Sequence, residues 1–459
     1  MEDASFGPHV NVTPTKTSQR IAIVGGGWAG LAAAIQLQVQ GHQVTLWEAS
    51  RTWGGRARAL TLPSPAGESW VVDNGQHILI GAYQSCLQLM QTVGIHSSES
   101  LLRLPLDLRY SDGTGLQLPN LSPPWDAIAG IAFAKGWSWS EKLAMFGRAN
   151  QWKRASFLCD AHATVAQLCQ GLPQRLMLEF VEPLCISALN LPASQASGSV
   201  FLRVLQDGLF SGKGGSNLLI PRTDLSTLFP ATAAKWLRAR GAELHLGCRA
   251  QNIAWNTDQQ AWMVEGTPFD ALILATSSAE AARLLQLATA TPAIQAQTVS
   301  WAHCAQALPH TAIATVYAYS KKVQTNGSLL AAPMVALRSN ADAPAQFAFD
   351  KAQLGGPAGL ISLVVSACSN NKETLQRQVL DQARAQLHLP DLQIVKTIID
   401  KRATFACTPS VQRPPASIAP QLWACGDYVA GPYPATLEGA VRSGIEVAKQ
   451  FEGTSKLVR

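Results

Sequence analysis

The sequence predicts an α/β chain in which a doubly wound, Rossmann-type domain is interleaved with a second domain of α+β type. Three observations carry this. An apolar run, Ile21–Val24, breaks directly into Gly25-Gly26-Gly27-Trp28-Ala29-Gly30. Two later blocks, around residues 224–287 and 422–451, repeat the alternation of apolar strand, small-residue turn and helix. The stretches between them are patterned differently. Residues 82–214 read as mostly helical with Pro breaks, and 311–319, 334–338 and 360–367 alternate or run apolar like sheet strands.

Taken in order, Ile21–Val24 has the length and composition of a buried parallel strand. Ala29–Gln40 reads as a helix stopped by Gly41, and Val44–Trp47 as a strand ending at Glu48, which together make one βαβ unit. Asp224–Arg240 reads as a helix, Glu243–Leu246 and Phe269–Ala275 as strands, and Ala279–Leu287 as a helix. Leu422–Ala424 and Glu438–Phe451 supply a last strand and helix. At 459 residues the chain is too long for one typical core. The expected division places 20–81, 215–290 and 400–459 in the first domain, 82–214 and 291–399 in the second, and 1–19 in a disordered lead.

A net charge of +6 spread over this length does not suggest nucleic-acid binding, though it suits weak attraction to an anionic membrane surface. The nine cysteines are odd in number and include no Cys-x-x-Cys pair, so reduced thiols in a cytoplasmic protein are expected, with neither a disulfide framework nor a metal site. The first 20 residues lack the apolar stretch of a signal peptide, and no window approaches a membrane-spanning length of apolar residues.

The spacing Gly25-x-Gly27-x-x-Gly30 fits a dinucleotide turn. The first glycine permits the bend, the second lets backbone approach a pyrophosphate, and the third lets helix and strand pack closely. Trp28 and Ala29 open the helix whose free N–H groups and positive dipole end would meet the phosphates. Glu48, 18 residues past Gly30, closes the second strand where a carboxylate can accept from ribose hydroxyls.

Gly54-Gly55-Arg56 follows six residues after Glu48 and resembles the FAD-binding extension of the amine oxidase and carotenoid desaturase superfamily. Trp423-Ala424-Cys425-Gly426-Asp427 resembles its second flavin motif, and the segment from Pro434 to Gly444 resembles its final helix. The resemblance implies FAD. It places Gly55 and Arg56 near the phosphates, Gly426 and Asp427 at the ribityl chain, and Thr436 and Leu437 at the flavin pyrimidine edge. Gly75, Gln76 and Ala250 are further cofactor-contact candidates. Thr436 stands where true amine oxidases usually hold an aromatic residue, which argues against an aromatic amine cage.

Four further strings look like the hydroxysqualene dehydroxylases, the squalene-associated FAD enzymes of bacterial hopanoid pathways. They are Asp73-Asn74-Gly75-Gln76-His77, Glu182 to Asn190, Pro221-Arg222-Thr223-Asp224-Leu225, and Lys401 to Ala406. That resemblance implies reductive removal of the hydroxyl of hydroxysqualene, or of a similar apolar isoprenoid, to give squalene. Loss of hydroxide calls for a proton donor near the leaving oxygen. His77, as the acid or as a residue orienting a water, is the first candidate, and Glu182 in an apolar helix the second. Each also has a structural reading, as a hydrogen-bonded histidine under the cofactor and as a cap or ion pair. The electron donor is unassigned, since no second glycine-rich dinucleotide turn is visible. A carotenoid-type desaturase, running the flavin oxidatively, is the rival enzyme, and a flavin-containing scaffold is the rival without turnover.

Residues 125–154 interleave Trp125, Trp137, Trp139 and Trp152 with Lys135, Lys142, Arg148, Lys153 and Arg154. Such a mixture suits either a segment docked at the inner face of the membrane or an ordinary helix with core tryptophans.

Overall fold

The computed structural model describes residues 18–452 apart from Ala66, Ser211, Ser369 and Asn370; most of the expected disordered lead lies outside that range. The main sheet has six strands in the order Glu243–Leu246, Gln43–Glu48, Arg20–Val24, Ala271–Leu274, Leu422–Ala424 and Ser417–Ala419. All neighbours are parallel except the last pair. Arg20–Val24 is central, and its apolar run Ile21–Val24 is nearly solvent-free, as a buried parallel strand requires. The chain leaves it to one side for Gln43–Glu48, while Ala271–Leu274 fills the other. The glycine turn therefore sits at the carboxyl end of the sheet, at a switch in strand order where open α/β sheets hold ligands. The helix Trp28–Val39 is buried between this sheet and the terminal helix Leu437–Lys449.

Two expected elements divide. Asp224–Arg240 is not one helix but two, Leu225–Leu228 and Pro230–Arg238. Phe229 between them has φ −143°, because the ring of Pro230 disfavours helical backbone in the residue before it. Phe269–Ala275 likewise splits at Asp270 into Thr267–Phe269 and Ala271–Leu274.

A second, antiparallel sheet runs in the order Met334–Ala336, Phe347–Asp350, Leu360–Ser366, His310–Tyr319 and Gln393–Phe405. Its last strand crosses residue 400 and so links the two sets of segments. Strand periodicity sorts its side chains. Ala314, Val316, Ala318 and Leu363 pack toward the helix Lys372–Leu387, whereas Ile313, Thr315, Phe347, Phe349, Val364 and Ser366 face a cavity. On the other side of that cavity lie helical elements, chiefly Trp125–Phe133, Trp139–Arg154, Glu182–Leu189 and Gly198–Phe210.

Candidate active site

One continuous cavity of about 810 Å³ runs from the glycine turn, past residues 74–80, to the inner faces of the helices Trp125–Phe133 and Trp139–Arg154. At the sheet end the turn is fixed by close packing. Gly25 has φ +116°, and a Cβ there would lie 2.4 Å from the Ala275 carbonyl oxygen; one on Gly30 would lie 1.9 Å from the Gly25 oxygen. Gly30 thus sits behind the turn and does not line the cavity. Gly27 differs. A Cβ there would meet only the Gly55 Cα, at 3.9 Å, and otherwise open space. Gly27 is also the N-cap of Trp28–Val39 and caps it with no side chain, so the first-turn N–H groups, flanked by Trp28 and Ala29, open on the cavity.

Glu48 is held at the cavity wall by N–H donations from Gly26 and Ser50, each at 2.7 Å. Gly54 N donates to Gly26 O at 2.9 Å, which ties the two glycine motifs together. Arg56 lines the cavity with its charge already paired. Its guanidinium donates to the Asp427 carboxylate at 2.5 Å and to the Ala403 carbonyl, so it does not stand free beside the glycine turn. The Asp427 charge raises its pKa further. Asp427 belongs to a loop that Arg413 staples by donating to the carbonyls of Asp427, Val429, Gly431 and Tyr433. No motif marked Arg413. Its role follows only from burial among carbonyls.

Thr436 caps the terminal helix by accepting from Gly439 N at 3.1 Å, and with Leu437 it lines the cavity. The next residue, Glu438, is 1 % exposed and accepts from Ser85 N and Cys86 N, capping the helix Gln84–Thr92. Gly55, Gly75, Gln76, Ala250 and Gly426 also line the cavity. Apart from Gly30, the cofactor candidates named from sequence thus converge on one space.

The four strings singled out beyond the flavin motifs meet in pairs. The Asp73 carboxylate accepts from Leu225 N at 2.8 Å, joining the first to the third. The Asn190 amide donates to Thr404 Oγ1 at 3.1 Å and Thr311 Oγ1 at 2.7 Å, joining the second to the fourth. Burial pushes the Asp73 carboxyl up to about 6, opposed by nearby Lys351, whose own pKa burial lowers. Lys351 Nζ donates to Gln76 Oε1 at 2.7 Å and fixes that side chain at the cavity wall.

His77 lines the cavity, with Nδ1 2.9 Å from the Gly75 carbonyl. A carbonyl only accepts, so Nδ1 carries the proton. Burial, reinforced by Arg56 and Lys351, lowers the pKa and favours the neutral ring, whose Nε2 is then a bare acceptor. With Nδ1 tied to the Gly75 carbonyl, orienting a water or hydroxyl from Nε2 is the role this geometry supports. Glu182 is the second candidate. Its carboxylate accepts from Ala193 N at 3.0 Å and caps the following turn, while the cavity wall nearby comes from Phe180, Leu184, Ser187 and Ala188. Glu182 itself does not line the cavity, so the structural reading, a cap on the following turn, is the one its contact supports.

The fold and this site define a flavin-binding oxidoreductase. The chain belongs to the flavin containing amine oxidoreductase family, which it matches over residues 28–450. The cofactor is FAD, and the open space at Gly27, the uncapped helix start and the Glu48 carboxylate fit a dinucleotide. Among relatives, the chain is 25% identical over 447 residues to a hydroxysqualene dehydroxylase of Zymomonas mobilis, covering 92% of this chain and 96% of that one. It is 26% identical over 461 residues to a hydroxysqualene dehydroxylase of Sinorhizobium fredii, covering 94% and 97%. Among solved structures, an oxidoreductase from Methanosarcina mazei shares the fold with TM-score 0.69 at 15% identity, covering 94% of this chain and all of that one.

Proposed function

We propose that this chain removes the hydroxyl group of hydroxysqualene reductively to give squalene. The observation that carries the reading is the cavity. Its cofactor end bears the polar groups described above, and it continues as an apolar passage walled by Leu106, Leu108, Leu118, Ile131, Met145 and Trp152. Such a passage suits a long isoprenoid and no charged substrate. The full-length similarity to hydroxysqualene dehydroxylases supports the same substrate class.

The cofactor-contact roles of Gly25, Gly27, Trp28, Ala29, Glu48, Gly55, Arg56, Gly75, Gln76, Ala250, Gly426, Asp427, Thr436 and Leu437 belong to this proposal, with Gly30 packing the turn from behind. Reduced FAD, when bound, would supply a hydride and a proton, the balance that turns an alcohol into a hydrocarbon and water. The protein's own groups shape the rest. Apolar walls exclude bulk water, Lys351 holds Gln76 in place, and His77 keeps its proton at Nδ1 and offers Nε2 as acceptor to the substrate hydroxyl or to a water that carries the proton to it. Incubation with hydroxysqualene and a flavin reductant should yield squalene by mass spectrometry. Conversion of a polyene to a more unsaturated product by the oxidised protein, without reduction of the alcohol, would instead favour a desaturase.

The proposal extends to a membrane surface. Among the described residues, Trp125, Ile128, Phe133, Trp139 and Leu143 are large, apolar and exposed, on the two helices whose other faces line the cavity. Lys135, Lys153 and Arg154 are exposed around them, complementing anionic headgroups. Trp137 and Trp152 are core residues, 5% exposed each, so only part of the expected tryptophan set can dock. No helix among the described residues is long and apolar enough to cross a membrane.

A further inference from the structure

The cavity-facing side of the second sheet is apolar at Ile313, Phe347, Phe349 and Val364, but Thr315 and, at the strand end, Ser366 interrupt it. Thr315 is 2% exposed, and among the described residues its hydroxyl has no hydrogen-bond partner. Valine would fill the same volume on a strand, so packing does not call for the hydroxyl. The turn that carries His77 comes close to it. A Cβ built on Gly75 would lie 3.7 Å from Thr315 Oγ1 and 3.8 Å from His77 Cε1, so the two side chains flank the same glycine. With Nδ1 directed at the Gly75 carbonyl, His77 Nε2 also has no partner among the described residues. A hydroxyl donor and an imidazole acceptor, neither hydrogen-bonded to the protein among the described residues, therefore line the same stretch of cavity on either side of Gly75. Both are free to hydrogen-bond a ligand or water in the cavity, and an apolar group placed against them would leave them unpaired at a cost.

We infer that Thr315 and His77 form a hydroxyl-binding subsite that selects an alcohol over the matching hydrocarbon; this deepens and rests on the dehydroxylase reading. An alcohol oxygen both accepts and donates. It can take the Thr315 hydroxyl proton as acceptor while giving its own to His77 Nε2. A ketone or ether satisfies only the donor, and a hydrocarbon satisfies neither. The hydrocarbon product leaves both groups unpaired again, so the same pair that holds the substrate favours release of the product. Thr315 is thus a specificity-determining residue that no sequence pattern marks, since a threonine in a strand is ordinary.

The test uses the FAD-loaded protein and measures binding of hydroxysqualene and of squalene through the change each makes in flavin absorbance. The parent should bind the alcohol more tightly. Thr315→Val, which keeps shape and removes the hydroxyl, should reduce that preference about 5- to 10-fold. Thr315→Ser, which keeps the hydroxyl, should restore it, a rescue that a purely structural role would not show. The inference is overturned if the parent has no preference, if Thr315→Val retains it, or if Thr315→Ser does not recover it. Conversion of hydroxysqualene by the parent is scored in parallel. A parent that prefers the alcohol without converting it removes the dehydroxylase reading and leaves the subsite standing. A parent that converts it, with the preference unchanged in Thr315→Val, removes the subsite alone.

Discussion

Gly27 separates what the fold needs from what the cofactor needs. Its φ of −77° is ordinary for any L-residue, and an added Cβ would touch nothing nearer than the Gly55 Cα at 3.9 Å. Gly27→Ala should leave the apo protein as stable as the parent, or more so by about 0.4–1 kcal/mol through lower entropy of the unfolded chain. The methyl group instead occupies space at the cavity wall beside the uncapped helix start. Crowding of a bound pyrophosphate there should cost about 1–3 kcal/mol, a rise in the FAD dissociation constant of roughly 5- to 150-fold. Gly27→Val, with more volume, should be purified without flavin. Gly30→Ala is the contrasting control, because its Cβ would lie 1.9 Å from the Gly25 oxygen and should disrupt the fold itself. Thermal unfolding of the apo proteins, paired with FAD titration by flavin fluorescence, reads both quantities. Parent-like FAD affinity in Gly27→Ala, or a lower apo melting temperature, would refute the placement of the phosphates.

Four other outcomes are expected. Asp427→Ala should weaken FAD roughly 10- to 150-fold in the same titration, as loss of a charge-assisted contact would; unchanged affinity would remove Asp427 from the cofactor site. Glu182→Ala should retain turnover but lose about 1–3 kcal/mol of stability in denaturant unfolding, since Ala193 N–H is left unpaired; a collapse in turnover at parent stability would restore Glu182 as the acid. Replacing exposed Trp125 and Trp139 by Ser should lower binding to anionic liposomes at least ~10-fold with FAD content unchanged, whereas equal binding would mean this surface does not dock. The Asp73 carboxyl binds its proton more tightly folded than unfolded, with its pKa raised to about 6 from 3.8. Its contribution to stability is thus full below the unfolded value and is lost as pH rises through the folded one. Asp73→Asn should flatten the fall in melting temperature between about pH 4 and 6, and an unaltered slope would show that this group does not carry it.

The cofactor end was readable because its chemistry is local. A strand, a glycine turn and a helix follow one another within Arg20–Val39, and the spacing itself states the packing requirement. The substrate end is assembled from residues far apart in sequence, and its determinants are partnerships. The partner of Glu182 is Ala193 N–H and that of His77 Nδ1 is the Gly75 carbonyl, and only these contacts favour the capping and orienting readings over direct proton donation. Lys351 and Arg413 lie in no motif, and each acts through a contact more than ten residues away, on Gln76 and on the Asp427 loop. The strands Phe347–Asp350 and Gln393–Phe405 escaped notice because a short apolar strand and a long mixed one lack clean alternation. Trp137 and Trp139, two residues apart, differ from 5% to 70% exposed, a distinction that composition cannot make.

The central claim is that this protein reduces an allylic alcohol with electrons held on its own flavin. Its most direct test is a single turnover without oxygen, in which the FAD-loaded protein is reduced chemically, freed of excess reductant and mixed with hydroxysqualene. The account predicts that flavin absorbance returns to the oxidised form as squalene appears, one molecule for each flavin reoxidised. Flavin that stays reduced, or that reoxidises with no squalene formed, would contradict it.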